Sequence, residues 1–119
     1  MVAVVDPAIL REALTNAAAA VAIFNEDRRF LAVNDRYLEL TGYSRDEIDG
    51  HRAGENLGLD PQDEEEFIER ITSAISAGEA DIVSKNGESL AVEYVVIPTR
   101  VDDERVFIGM MWPLVAGYE

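Results

Sequence analysis

The part of this chain that most constrains its fold is residues 34–50, which read NDRYLELTGYSRDEIDG. This stretch predicts two short helices bent sharply against each other. Asn34 or Asp35 can cap the first helix by accepting a hydrogen bond from a free backbone N–H, and Gly42 can end it in the left-handed conformation. Residues 44–47 then fit a capping box, in which a serine and a glutamate each satisfy a backbone donor at the start of the second helix. Short capped helices of this kind are more typical of a pocket wall than of a helical bundle.

Patterns in the rest of the chain predict strands on both sides of these helices. Apolar runs separated by polar turns predict strands at residues 21–24, 30–33, 80–84, 90–97 and 105–114. Asp60-Pro61 has the cap-then-proline signal of a helix start, and this longer helix is predicted to reach about Ala77 and to be stopped by Gly78. Its apolar face is expected to comprise Phe67, Ile68, Ile71, Ala74 and Ile75. Asn86-Gly87 favours a tight hairpin, and the fourth strand is expected to end at Pro98.

The stretch after the second strand resembles the PAS family of sensor domains. That family typically shows an Asn, an aromatic residue and then Leu-Thr-Gly-Tyr-Ser, followed by Glu, a hydrophobic residue and Gly. The matching positions here are Asn34, Tyr37, Leu40, Thr41, Gly42, Tyr43, Ser44, Glu47, Ile48 and Gly50. The resemblance covers about residues 21–114 and implies an α+β fold, with a five-stranded antiparallel sheet in spatial order 2-1-5-4-3 and helices over one face.

An amphipathic helix is predicted ahead of this core. Asp6-Pro7 has the signal of a helix start, and apolar residues follow at helical spacing. The predicted organisation is a helix within residues 1–20, a core at 21–115 and a tail at 116–119. The helix could cover its own domain or form a dimer contact, as N-terminal helices often do in PAS proteins.

The last two predicted strands are apolar on nearly both faces, so both faces of the sheet should be covered. The long and short helices account for one face, and the N-terminal helix or a partner must cover the other. We expect a homodimer contact through the N-terminal helix and this outer face, with Trp112 as an anchor. The residues assigned to the contact are Ile9, Leu10, Leu14, Ile108, Met110 and Trp112.

In PAS proteins the inner sheet face and the long helix enclose a pocket for haem, flavin or a small metabolite. Carried over by position, the residues expected to bind such a ligand are Phe24, Tyr37, Leu57, Ile68, Ile71, Val92, Tyr94, Val96, Phe107 and Met111, with Ala22 and Gly109 beside them. The same residues at the same spacing also describe a filled hydrophobic core, and both interpretations stay open. Because polar groups are scarce in this set, an apolar or aromatic ligand would fit better than a charged one.

Two cofactors of the family can be tested against the residues. Members that form a flavin photoadduct carry a cysteine in a Gly-x-Asn-Cys-Arg type motif, where this chain reads Gly50-His51-Arg52-Ala53. The chain contains no cysteine, so that photochemistry is excluded. Haem-binding oxygen sensors usually place an axial histidine on the long helix, whereas the only histidine here, His51, lies in a loop, and haem is not expected. The cofactor is therefore unknown.

Charge and composition indicate which partners and which location to expect. With 24 acidic and 10 basic residues the net charge is −14, which repels nucleic-acid phosphates and anionic membranes, so neither is an expected partner. No apolar run approaches the roughly 20 residues needed to cross a bilayer, there is no secretion signal, and the expected location is the cytoplasm. The acidic residues at the start of the long helix lack the loop pattern of a calcium site.

The chain has one histidine, no cysteine and no carboxylate that is expected to face inward. Because no nucleophile is then placed beside a base, a non-catalytic protein is predicted. The predicted function is a sensory or signal-transduction module that binds a small ligand or partner and signals through changed protein contacts. The alternative is a ligand-free interaction module with a filled core. An enzyme on a related scaffold ranks last.

Overall fold

The computed structural model describes residues 19–114. The elements in chain order are β1 (Ala20–Asn25), β2 (Phe30–Val33), α1 (Asp35–Thr41), α2 (Arg45–Ile48), a 3-10 helix (Glu55–Leu57), α3 (Pro61–Ser73), β3 (Ser76–Val83), β4 (Ser89–Val101) and β5 (Glu104–Pro113). All strands belong to one antiparallel sheet in the order β2-β1-β5-β4-β3, which confirms the predicted α+β fold and its strand order. The predicted N-terminal stripe, with Ile9, Leu10 and Leu14, and the predicted tail lie outside the described residues.

The two short helices form where the local pattern predicts them. The side chain of Asn34 accepts a hydrogen bond from the backbone N–H of Tyr37 at 3.0 Å, and Gly42 ends α1 with a φ of 81°. Ser44 and Glu47 form the complete capping box of α2. Because the partners in each cap lie within a few residues of each other, tertiary packing is not needed to specify these helix ends.

The long helix α3 is shorter than predicted. It ends at Ser73, the next residue is extended, and β3 begins at Ser76. Ile75, expected on the apolar face of the helix, is 72% exposed. Gly78 does not stop a helix but lies within β3 opposite Tyr94 on β4. Pairing with β4 recruits these residues into a strand, and tertiary pairing of this kind overrides the helical spacing of the apolar residues.

The strand β4 is longer than predicted and continues through Pro98 to Val101. The backbone carbonyl of Ala91 accepts a hydrogen bond from the backbone N–H of Leu114. The backbone N–H and C=O groups of every second residue from 91 onward therefore point to β5, and those of position 98 point to the opposite side, toward β3. On that edge β3 stops pairing at Val96. The N–H that proline lacks is therefore not needed by the ladder, which explains why Pro98 does not end the strand.

The register places two sets of side chains on opposite faces of the central strands. Phe24 pairs with Phe107 and Ala22 with Gly109, and these residues share the inner face that the helices cover. The outer face carries Ile108, Met110 and Trp112, all half-buried. On that face the indole Nε1 of Trp112 donates to Glu93 Oε1 at 2.9 Å, across a directly opposed pair of β5 and β4.

Within residues 19–114, none of the helices combines the length and the apolar character needed to cross a bilayer.

Candidate functional site

A cavity of about 100 Å³ lies between the inner face of the sheet and helix α3. Of the residues predicted to bind a ligand, those that line it are Phe24, Tyr37, Leu57, Ile68, Ile71, Val92, Tyr94, Val96 and Met111. Ala22 and Gly109 line it as well. Phe107 is not part of the lining, since it is 1% exposed and stacks on Phe24 at a centroid distance of 5.3 Å. The tertiary structure thus brings most of the predicted set around one space, and their role in binding stays a prediction.

Sequence reasoning missed part of the lining. The additional residues are Ala20, Phe30, Ala53, Gly54, Phe67, Ala80 and Ile82. Asn56, which the sequence suggests as a polar contributor to this pocket, lines it too. Met110 also borders the cavity, although the register places it on the outer face of the sheet. Alternation along β1 and β3 could have indicated Ala20, Ala80 and Ile82, because they share a face with predicted inward residues. No local signal indicates Gly54, whose φ of 94° allows the loop to pass against Ile68.

The cavity is small and almost wholly apolar. Pockets for drug-sized ligands span roughly 300–1,000 Å³, whereas a dry apolar cavity of about 150 Å³ admits benzene. The space under this sheet has about two thirds of the volume of that benzene-binding cavity, so it suits one small apolar group, and an aromatic ring enters it with a small shift of the surrounding side chains. It does not hold a haem or a flavin ring system in this conformation. Ala53, at the position where photoadduct members carry cysteine, is 5% exposed and presents only a methyl group to the cavity.

A second, more polar cleft of about 380 Å³ adjoins the cavity. Three residues line both spaces and so form a common wall: Phe30, Tyr37 and Asn56. The cleft is otherwise lined by Tyr43, Ile48, His51, Arg52, Glu55 and Glu64. The rings of Phe30 and Tyr37 contact each other in the wall, with centroids 5.7 Å apart. We call this second space, with all the residues that line it, the polar cleft.

Most of the charged groups at the polar cleft are already paired. Glu55 Oε1 accepts from the backbone N–H of Arg52 at 2.9 Å and lies 3.2 Å from Nδ1 of His51. The imidazole of His51 also packs on the ring of Tyr43, with centroids 4.5 Å apart. Glu64 forms an ion pair with Arg28, whose side chain is 11% exposed. The histidine thus borders the outer cleft and does not reach the inner cavity.

Tyr37 is the polar residue most deeply placed between the two spaces. It is 7% exposed, its hydroxyl bonds to none of residues 19–114, and no buried side-chain oxygen or nitrogen of these residues is unsatisfied, so the hydroxyl reaches solvent. Burial, and to a smaller extent the neighbouring Tyr43, raise the pKa of Tyr37 well above its ordinary value. The phenol therefore stays protonated at physiological pH and is available as a hydrogen-bond donor.

Two further groups of polar side chains are those of the polar cleft and the acidic start of α3. No group of three or more His, Asp or Glu side chains in residues 19–114 is arranged to hold a metal ion. The residues lining the polar cleft include the histidine but no serine, threonine or cysteine beside it. At the start of α3, Asp60 accepts from the backbone N–H of Asp63 at 2.8 Å, and repulsion from Asp60 is the main cause that raises the pKa of Asp63. Asp60 thus acts as the N-cap of α3.

Comparison with known proteins gives a consistent family assignment. A family model described as "PAS domain" matches residues 18–111. A search of curated proteins found no significant match.

Several solved structures share the fold at low sequence identity. A PAS domain from a two-component sensor histidine kinase is 18% identical with a TM-score of 0.76, covering 90% of this chain and 95% of that one. The PAS domain of an HTR-like protein from Haloarcula marismortui is 18% identical with a TM-score of 0.77, covering 90% of both chains. A domain of a sensory box sensor histidine kinase/response regulator from Geobacter sulfurreducens is 23% identical with a TM-score of 0.75, covering 87% of this chain and 90% of that one.

Proposed function

Because this chain belongs to the PAS domain family, we propose that it is a non-catalytic sensory signal-transduction module. In this proposal a small ligand occupies the cavity under the sheet, and its binding is signalled by a change in the contacts that the domain makes with another protein. The observation that carries the proposal is the apolar cavity itself, which a wall of two aromatic rings and an amide separates from the polar cleft. Two of the similar structures come from sensor histidine kinases, which supports a sensory role. The cytoplasmic location stays a prediction from the sequence.

The sheet offers a direct route from the cavity to a partner. Strand β4 contributes Tyr94 to the cavity and Val95 to the opposite face, and β5 contributes Met111 to the cavity and Trp112 to the opposite face. A shift of either strand on ligand binding would therefore move the outer face as well. We propose that a second copy of this chain docks there, through Ile108, Met110 and Trp112 together with Ile9, Leu10 and Leu14 of the N-terminal segment.

The ligand part is tested by filling the cavity. Ala80→Leu places a larger side chain in the lining, while Ala91→Leu adds the same atoms at an exposed position of the neighbouring strand. Native mass spectrometry and an absorbance spectrum of the freshly purified protein, followed by thermal shift with a metabolite panel, give the readout. We expect a bound mass or a raised Tm with the unaltered protein and with Ala91→Leu, and neither with Ala80→Leu.

A ligand-free interaction module is the second candidate, and the small size of the cavity favours it. Colourless protein without added mass, and no rise in Tm across the panel, would support this candidate and contradict the ligand proposal. In that case the cavity is a packing feature of the core.

The dimer part is tested by light scattering on size-exclusion fractions. Trp112→Glu places a charge on the outer face and should convert a dimer to a monomer, because charges are depleted from interface cores. Leu59→Glu alters an exposed residue of the loop before α3 and should leave the mass unchanged. A monomer in the unaltered protein, or a dimer that survives Trp112→Glu, would contradict the proposed interface.

A further inference from the structure

We infer that the ligand of this site is a small uncharged molecule with an aromatic ring or a short branched hydrocarbon at one end and a hydrogen-bond acceptor at the other. The hydrocarbon end would occupy the inner cavity, and the acceptor would bind the hydroxyl of Tyr37 at the wall. This inference rests on the proposed ligand-binding function and names the chemical class that the same site would take.

The hydrocarbon end follows from what surrounds the inner cavity. Space exists there because small residues meet on the inner face: Ala22 lies directly opposite Gly109, and Ala53 and Ala80 contribute only methyl groups. Larger apolar side chains, including Phe24 and Ile71, close the remaining sides. A cavity with these walls gains free energy from apolar contact and provides little to bind a polar group.

The acceptor end follows from Tyr37. Tyr37 lines both the cavity and the polar cleft, and its hydroxyl reaches solvent without a partner among the described residues. A donor that bonds only to water in the free protein can exchange that bond for one to an oxygen or nitrogen acceptor of a ligand. A ligand whose ring fills the cavity would present its substituent at this wall.

The absence of charge on the ligand follows from the electrostatics of the polar cleft. Glu64 is paired with Arg28, and Glu55 contacts His51, while Arg52 is exposed to solvent at the outer edge. A charged substituent at Tyr37 would lose water without meeting an unpaired buried charge of opposite sign, which is costly. The net charge of −14 further disfavours an anion.

Four probes of matched shape test the inference by calorimetry and ligand-observed NMR: benzamide, benzoate, benzylamine and toluene. We expect benzamide to bind at least tenfold more tightly than benzoate or benzylamine. Tyr37→Phe keeps the ring and removes the hydroxyl, so it should weaken benzamide by about tenfold and leave toluene unchanged. Tyr94→Phe is the matched control, since Tyr94 also lines the cavity but its hydroxyl lies against the backbone of Gly78. It should change neither affinity.

The outcomes separate this inference from the function on which it rests. Tightest binding by benzoate or benzylamine, or unchanged benzamide affinity in Tyr37→Phe with an unaltered Tm, would overturn the uncharged-acceptor class. If toluene then still binds and is excluded by Ala80→Leu, the ligand-binding function stands. If none of the four probes binds but a metabolite of the panel raises the Tm, the inference alone is contradicted. If neither the probes nor the panel bind, the ligand-binding function is contradicted as well.

Discussion

The guanidinium of Arg28, in the turn between β1 and β2, forms an ion pair with the carboxylate of Glu64 on α3. From its Nε, Arg28 also donates to the backbone carbonyl of Ala53 at 2.8 Å. One side chain thus joins the first hairpin, the loop before the 3-10 helix and the long helix. These are three of the segments that enclose the cavity, so the ion pair contributes to the position of its walls.

Arg28→Ala is expected to lower the free energy of unfolding by about 2 kcal/mol, between the values for exposed and buried ion pairs, because both partners are largely but not fully buried. Arg28 has a φ of 67°, so Arg28→Gly should be more stable than Arg28→Ala by about 1 kcal/mol. Urea unfolding measures both. Asp35→Asn, which alters the exposed pair with Arg45, is the control and should cost less than about 1 kcal/mol. Equal losses in Arg28→Ala and Asp35→Asn would refute the assignment.

Gly54→Ala should destabilise the protein more than Gly87→Ala. Both glycines have φ near 90°, at 94° and 89°, so both substitutions carry a backbone cost of about 1 kcal/mol. An added Cβ at Gly54 would lie 2.8 Å from Cδ1 of Ile68, whereas at Gly87 it would meet nothing within 4 Å. We expect an additional loss of about 1–2 kcal/mol at Gly54, measured as the difference between the two urea midpoints. Indistinguishable midpoints would show that Ile68 yields without cost.

Asn34→Ala should be among the more damaging single changes in the chain. The buried Oδ1 of Asn34 accepts from the backbone N–H groups of Val21 at 2.9 Å and Tyr37 at 3.0 Å. Removing the acceptor leaves these donors buried, and a loss of about 3 kcal/mol is expected. Ser44→Ala removes a cap that is exposed to solvent and should cost only about 1 kcal/mol. A smaller loss for Asn34→Ala than for Ser44→Ala would contradict the linking role of Asn34 between β1 and α1.

Stability at acid pH should depend on Glu47. A hydrogen bond from Lys85 is the largest cause that lowers the pKa of Glu47 from 4.5 to about 2. A carboxyl whose pKa is lower in the folded state stabilises the fold above its unfolded pKa, and this contribution is lost as the pH falls. Glu47→Gln should therefore flatten the stability curve between pH 4.5 and about 2 and leave its slope above pH 6 unchanged. Chemical unfolding at stepped pH is the measurement.

Asp63→Asn should change the stability at neutral pH in the opposite direction from Glu47→Gln. Repulsion from Asp60 raises the pKa of Asp63, so its charged form destabilises the fold at neutral pH. The substitution should stabilise the protein at pH 7, and the gain should vanish in acid. Added salt should reduce the effects of both Glu47→Gln and Asp63→Asn, because these groups are exposed. A loss of stability at pH 7 in Asp63→Asn would contradict the repulsive assignment.

The predictions that hold best are those whose partners lie close in the chain. The cap of α1 by Asn34, its end at Gly42 and the capping box of α2 were all readable as local patterns, and alternation along the strands correctly separated most inner from outer residues. The end of α3 and the end of β4 were wrong because pairing between distant segments decides them. Residues 76–79 become a strand against β4, and Pro98 stays in the sheet because its neighbour has already ended there.

Hydrophobic periodicity and cap chemistry were therefore enough to determine the helix caps, most of the strands and the face that most side chains take, since both act over a few residues at a time. The strand order was an expectation from the resemblance to the PAS family. Only the folded chain decides that the small residues Ala22, Ala53 and Gly109 meet and leave a space, and that Tyr37 stands at its wall with a hydroxyl that solvent reaches. A cavity forms where side chains from segments far apart in the chain do not fill the space between them. Its volume depends on how those segments pack, and no local sequence pattern encodes that packing.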